Sequence, residues 1–145
     1  MHKNVSWNKN LAYAVGLITT DGCLSKDGRH IDLTSKDINL LKDFLRGCID
    51  GDGNISIVKH PESQHPQLRL RLASSSLNFL EWIKASITQY WNITGGFISK
   101  SYKNTQYLVY SKADSIKLLE LIYYIGVKYY LKRKFNYYRD TMGEW

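Results

Sequence analysis

Leu45-Arg46-Gly47-Cys48-Ile49-Asp50-Gly51-Asp52-Gly53 is the stretch on which the fold turns. It closes an apolar-periodic segment with two acids and three glycines, and its spacing Gly-x-Ile-x-x-Asp-Gly occurs twice: Gly47, Ile49, Asp52 and Gly53 match Gly16, Ile18, Asp21 and Gly22. A spacing repeated in matched contexts means one structural unit used twice. Each copy ends a segment with helical periodicity, Leu11–Thr20 and Asp37–Gly51. An acid at the carboxyl end of a helix faces the negative end of the macrodipole, where cations are preferred. That unfavourable choice is made at both Asp21 and Asp52. Gly16, Gly47 and Gly51 remove side chains at helical spacing, which lets two helices approach closely and brings the two carboxylates together. Carboxylates so placed repel unless protonated or bridged by a cation, and an all-oxygen donor set favours Mg²⁺, or another divalent ion such as Mn²⁺, over zinc. One Asp-Gly pair alone is as well explained by an ordinary turn.

Outward from the motifs the pattern is regular. Cys23–Ser35 reads as a short hairpin around Lys26-Asp27-Gly28, with Ile31 and Leu33 on one face and His30, Asp32 and Thr34 on the other. After Gly53 come a strand, Asn54–Val58, a Pro-bearing loop, His60–Pro66, and a second strand, Gln67–Ala73, in which Leu68, Leu70 and Leu72 alternate with Gln67, Arg69 and Arg71. A helix is expected over Leu77–Trp91, a second hairpin over Gly95–Lys112 turning near Lys103-Asn104, and a long helix from about Asp114 with Ile116, Leu119, Ile122 and Tyr123 as its apolar stripe. The expected order is αββα, then αββαββα, an α+β fold with antiparallel sheets and helices on one face. One compact domain over 1–145 would hold a shortened first repeat, 8–44, and a complete second repeat, 45–145.

Ala14-Val15-Gly16-Leu17-Ile18-Thr19-Thr20-Asp21-Gly22 and Leu45–Gly53 resemble the two signature helices of the LAGLIDADG homing endonucleases, the second more closely. The order of elements after the second motif resembles that family's repeating unit. The resemblance implies a site-specific DNA endonuclease with saddle-shaped sheets lying in the major groove of double-stranded DNA. It implies Asp21 and Asp52 as metal ligands, with the carbonyls of Thr20 and Gly51 contributing, and Lys112, at the end of the last strand, as the basic residue near the scissile phosphate. Divalent metal then supplies water activation and charge neutralisation. Asp50 reads as a capping or surface acid.

Base readout is expected from Arg69 and Arg71, since Arg bridges guanine O6 and N7, with Gln67, Asn54 and Ser56 on the same face and His30, Asp32 and Thr34 their counterparts in the first repeat. The strands Gly95–Lys100 and Gln106–Lys112 carry tyrosines and small polar residues on both parities, so their faces stay unassigned. Lys100, Lys103, Lys132 and Lys134 are expected phosphate contacts. The first repeat departs from the pattern: 31 residues separate Asp21 from Asp52, whereas 93 follow Asp52. A compact enzyme with an asymmetric saddle, a homodimer completing the site between chains, and a decayed or trimmed copy that still folds all remain open, and the competing function is a non-cleaving nucleic-acid-binding protein of the same fold, such as an RNA-splicing maturase or a DNA-binding regulator.

Composition narrows the classes. The 145 residues carry 20 Lys+Arg against 13 Asp+Glu, a formal charge of +7. Residues 1–50 have a net charge of +1 and residues 51–145 one of +6. The densest portion, Lys128, Lys132, Arg133, Lys134 and Arg139 interleaved with Tyr129, Tyr130, Tyr137 and Tyr138, suits a polyanion surface, or equally an amphipathic helix with solvated lysines. No apolar run approaches the roughly 18 residues of a membrane span, so no membrane partner is expected. Cys23 and Cys48 form no CxxC, and the opening MHKNVSWNKN lacks a signal-peptide core, which points to an intracellular chain in the cytoplasm or an organelle. Cys23, Cys48, His60 and His65 match no common zinc spacing, and no small-molecule cofactor is expected.

Overall fold

The computed structural model describes residues 7–20, 38–101 and 103–143. In chain order the elements are α1 (Lys9–Thr20), α2 (Ile38–Asp52), β1 (Gly53–Val58), β2 (Gln67–Ser74), α3 (Leu77–Trp91), β3 (Phe97–Lys100), β4 (Gln106–Tyr110), α4 (Lys112–Ile122) and α5 (Lys132–Gly143). The sheet is antiparallel throughout in the order β1-β2-β4-β3. From α2 to α4 the order is αββαββα, as expected, and α5 is added to it. The hairpin expected over Cys23–Ser35 lies outside the described residues.

α2 is the spine of the fold: all its residues from Asp43 to Asp50 are buried, polar ones included. Phe44, Leu45, Cys48 and Ile49 join Leu68, Leu70, Leu72, Leu80, Ile83 and Leu108 in one core. Each large side chain so buried stabilises the fold by about 1.5–3 kcal/mol. The alternation in β2 faces Leu68, Leu70 and Leu72 toward this core. α3 has the expected bounds because both ends are capped: the Ser76 hydroxyl accepts from the Phe79 amide at 3.2 Å, and Asn92 closes the helix in the left-handed region at φ 53°. Ser115 ties α4 to the sheet, its hydroxyl donating to the Tyr110 carbonyl at 2.8 Å and accepting from the Leu70 amide at 3.0 Å.

The long last helix is not continuous. α4 stops at Ile122, the chain turns through Gly126 at φ +89°, and α5 begins at Lys132. Tyr123, Tyr130, Phe135 and Tyr138 pack ring against ring across this break, with centroids 4.9–6.5 Å apart. The aromatic packing turns α5 back against Tyr123 at the end of α4, which an uninterrupted helix could not do. α5 also packs against β1.

α1 lies along α2 in the closest helix contact of the fold. A β-carbon on Gly16 would overlap the Phe44 carbonyl and stand 2.9 Å from the Cys48 amide; one on Gly47 would overlap the Tyr13 carbonyl and stand 2.9 Å from the Leu17 amide. The three pairs, Tyr13 with Phe44, Gly16 with Gly47 and Leu17 with Cys48, repeat the spacing of the two motifs, so the duplicated helices cross about a local two-fold at their glycines.

Candidate functional site

The crossing sends the ends of both signature helices to one place. Thr19, in the last turn of α1, and Asp52, the last residue of α2, line a single open cleft of about 320 Å³ with Ser74, Ser75 and Thr105. Among the described residues lining the cleft, beside the apolar Ala73 and Phe79, the side-chain donors are all oxygens, the Asp52 carboxylate and four hydroxyls, a set of the kind that suits a hard divalent cation and not zinc. Among the described residues no cluster of three or more His, Cys, Asp or Glu side chains exists. Asp21, His30, Asp32 and Thr34 lie outside the described residues, as does Cys23. Thr20 ends α1, and Gly51 stands one residue before Asp52.

Lys112 and Lys134 stand toward different ends of the sheet. β4 runs antiparallel to β2, pairing Gln106 with Ser74 and Tyr110 with Leu70, so Lys112, the first residue of α4, leaves the sheet toward the Leu68 end of β2. Asp52 precedes Gly53, which pairs with Leu72, and faces the Ser74 end. Lys134, read from charge as a surface phosphate contact, is half-buried. Its ammonium donates to the carbonyls of Ile49 at 2.6 Å, Asp50 at 3.0 Å and Gly53 at 2.5 Å. It caps the carboxyl end of α2 with a full charge, which offsets the dipole that Asp52 would otherwise oppose. Burial lowers the Lys134 pKa against the pull of the Asp50 carboxylate.

Asp50 is not a surface acid. It is 4% exposed, and its carboxylate accepts from the Tyr123 hydroxyl at 2.6 Å, the Tyr13 hydroxyl at 2.9 Å and the Leu131 amide at 2.8 Å. One turn and more earlier, Arg46 is equally enclosed, donating to Asp43 at 2.7 Å, the Ile122 carbonyl at 3.0 Å and the Tyr129 carbonyl at 2.9 Å while its guanidinium lies 5.0 Å from the Tyr13 ring. Asp43 and Arg46 were not singled out by sequence reading. The signal that could have found them is their spacing of three, which sets an acid and an arginine on one face of the helix that carries the motif.

The tyrosines of this network give a pH prediction. Burial first, then the Asp50 charge, pushes the phenols of Tyr13 and Tyr123 well above their ordinary value, and burial does the same to Tyr110. Groups whose folded pKa is raised contribute stability that is complete below their unfolded value, about 10, and lost as pH rises through the folded one. Thermal melts followed by phenolate absorbance should show the melting temperature falling above about pH 10, with these tyrosines ionising only on unfolding. Full ionisation of all eleven tyrosines at that pH in a folded chain would contradict the network.

The sheet face opposite the helices is the second feature. Register places Asn54, Ser56, Gln67, Arg69 and Arg71 together on it. Arg71 donates to Asn54 Oδ1 at 3.5 Å. The faces of the second hairpin, unreadable in sequence, follow from pairing: Val109 lies beside Arg71 and Phe97 beside Val109, so Phe97, Ser99, Tyr107 and Val109 extend the open face. Ile98, Leu108 and Tyr110 face the helices. Lys100 pairs with Gln106 on that helix side, in a groove under α3, and so stands away from Arg69 and Arg71. Lys103 is exposed in the β3–β4 turn, and Lys132 is exposed at the start of α5. No helix among the described residues is long and apolar enough to cross a membrane.

No protein-family model matches the chain, and no curated protein matches it. Solved structures do. The meganuclease I-SmaMI, bound to an uncleaved DNA target in the presence of calcium ions, superposes with a TM-score of 0.54 at 19% identity over 97% of this chain and 45% of its own. The homing endonuclease I-TnaI superposes with a TM-score of 0.50 at 14% identity over 68% of this chain and 69% of its own. The N-terminal LAGLIDADG domain of WhiA gives 0.47 at 26% identity over 61% and 42%. The chain thus spans less than half the length of I-SmaMI and of the WhiA chain.

Proposed function

On the premise that this chain has the α+β fold of the LAGLIDADG homing endonucleases, we propose that it is a double-stranded DNA endonuclease that reads sequence with one sheet and hydrolyses a phosphodiester bond at the cleft beneath its two signature helices. The observation that carries the reading is the shared cleft of Thr19 and Asp52, formed by two duplicated helices crossing at Gly16 and Gly47. Asp52, with Asp21 and the carbonyls of Thr20 and Gly51, would hold Mg²⁺ or Mn²⁺. That ion, when bound, neutralises phosphate charge and lowers the pKa of water. Lys134, in preference to Lys112, supplies the fixed positive charge at this end of α2, for its ammonium is already held there. The signature helices pair within one chain, so bringing their ends together requires no second copy, which favours a monomeric site over a homodimer.

Arg69 and Arg71 would face base edges, Gln67, Asn54 and Ser56 would support them, and Lys103 and Lys132 would contact phosphate. Seventeen residues, 21–37, separate α1 from α2, whereas β1 to β4 span 53–110. At five or six residues per strand, the shorter interval cannot supply a second four-stranded sheet with its helix. Readout is therefore one-sided: base preference extends from the cut on the Asp52 side and is sparse on the other.

Duplex binding under salt titration tests the interface. Log affinity should fall linearly with log salt, by about 0.9 per phosphate contacted, and Arg71→Ala should cost about 1–3 kcal/mol and relax preference at one base pair. Salt-independent binding, or an Arg71→Ala loss that is equal for every sequence, would remove the sheet from recognition.

A further inference from the structure

We propose that Asp50 is a positioning residue: its carboxylate clamps the segment 123–134 onto α2 and so holds the Lys134 ammonium at the helix end beside Asp52. The clamp is read from contacts in the protein alone; only its value for catalysis rests on the endonuclease reading above. Three donors from separate parts of the chain converge on the carboxylate: Tyr13 from α1, Tyr123 at the end of α4, and the Leu131 amide ahead of α5. The Leu131 bond is the decisive one. The Leu131 carbonyl in turn accepts from the Lys134 amide at 3.0 Å and the Phe135 amide at 3.1 Å, so Leu131 starts α5, and the Asp50 carboxylate fixes where that helix begins. From that start, Lys134 stands one turn along and reaches back to three carbonyls of the α2 end.

A purely packing role is the plainer explanation, and two observations weigh against it. A buried carboxylate is costly unless its lone pairs are satisfied, and an apolar residue would fill the place with no such demand. The matched position of the first signature helix is Thr19, whose hydroxyl turns back to its own helix, donating to the Val15 carbonyl at 2.7 Å. Among the described residues, a segment held by that position is seen only in the second copy, where the acid stands.

The test follows the Lys134 ammonium by side-chain ¹⁵N NMR of the full chain without DNA, the resonance being the one missing from Lys134→Arg. An ammonium held by three carbonyls exchanges slowly with water. In Asp50→Asn its exchange should be at least about tenfold faster, while the amide spectrum of the sheet keeps its native dispersion. Wild-type exchange in folded Asp50→Asn would overturn the clamp. Should Asp50→Asn fail to fold, Tyr123→Phe serves: it removes the 2.6 Å bond without changing shape, and should speed exchange severalfold, whereas an unchanged rate overturns the proposal. On a duplex that the wild type cuts, Asp50→Asn should lower kcat more than about tenfold with KM unchanged. A variant that loses duplex affinity instead would assign Asp50 to binding and overturn its positioning role. If the wild type cuts no duplex, the endonuclease reading fails and the NMR result still decides the clamp.

Discussion

Gly47→Ala lowers stability by about 2 kcal/mol and the melting temperature by roughly 5–10 °C, although alanine is the better helix former. Two opposing terms set the sign. Alanine gains about 1 kcal/mol of helix propensity over glycine. Its methyl would overlap the Tyr13 carbonyl and stand 2.9 Å from the Leu17 amide, and both are backbone atoms of a helix that cannot turn aside as a flexible side chain would. α1 must therefore move as a body, at the upper end of the 1–3 kcal/mol usual for overpacking, about 3 kcal/mol. The local two-fold extends the prediction to Gly16→Ala, whose methyl meets Phe44 and Cys48 in the same manner. Because one displacement relieves both clashes, the double variant should lose less than the sum of the two singles. Denaturant melts of the three proteins measure this. A Gly47→Ala chain as stable as wild type would mean that α1 does not pack on α2 through these glycines.

Asp52→Asn should abolish metal-dependent strand scission, by more than about a hundredfold, while leaving duplex affinity within a few-fold of wild type. Loss of even an outer partner of a metal ligand costs about 10–100-fold, and loss of the ligand itself costs more. Binding survives because the proposed base and phosphate contacts, Arg69, Arg71, Lys103 and Lys132, lie elsewhere on the sheet, its turn and α5. Asparagine preserves size, and Asp52 is exposed, so the fold is little affected. Gel retardation in Ca²⁺ and scission in Mg²⁺ on the same duplex separate the two effects. Retained cutting would take Asp52 out of the metal site, and loss of binding would make it a DNA contact.

Where periodicity and local chemistry agree, the fold was legible. β2 shows in the alternation of three leucines with Gln and Arg, and the helix expected over Leu77–Trp91 has those bounds because Ser76 and Asn92 cap it. The close approach of the signature helices followed from glycines at matched spacing. The break between α4 and α5 was missed because the local signal, Gly126 among apolar and aromatic residues, is weak, and the packing of Tyr123 on Phe135 and Tyr138 that enforces it is tertiary. Asp43, Arg46 and Asp50 were missed for a similar reason. Charge in a sequence suggests solvent, and several of the groups that satisfy these three lie far along the chain, Leu131 being 81 residues from Asp50 and Tyr129 being 83 from Arg46. Lys134 likewise shows only as one of several lysines until the carbonyls of α2 are seen to receive it.

The most direct test of the central claim is to incubate the purified chain with a pool of duplexes randomised over the expected footprint, in Mg²⁺ and separately in EDTA, and to sequence the ends produced. The account predicts ends that appear only with Mg²⁺, that share base preferences on one side of the cut, and that vanish with Asp52→Asn. Ends no more frequent in Mg²⁺ than in EDTA, from a protein that binds the same pool tightly, would contradict it and leave a DNA-binding protein that does not cut.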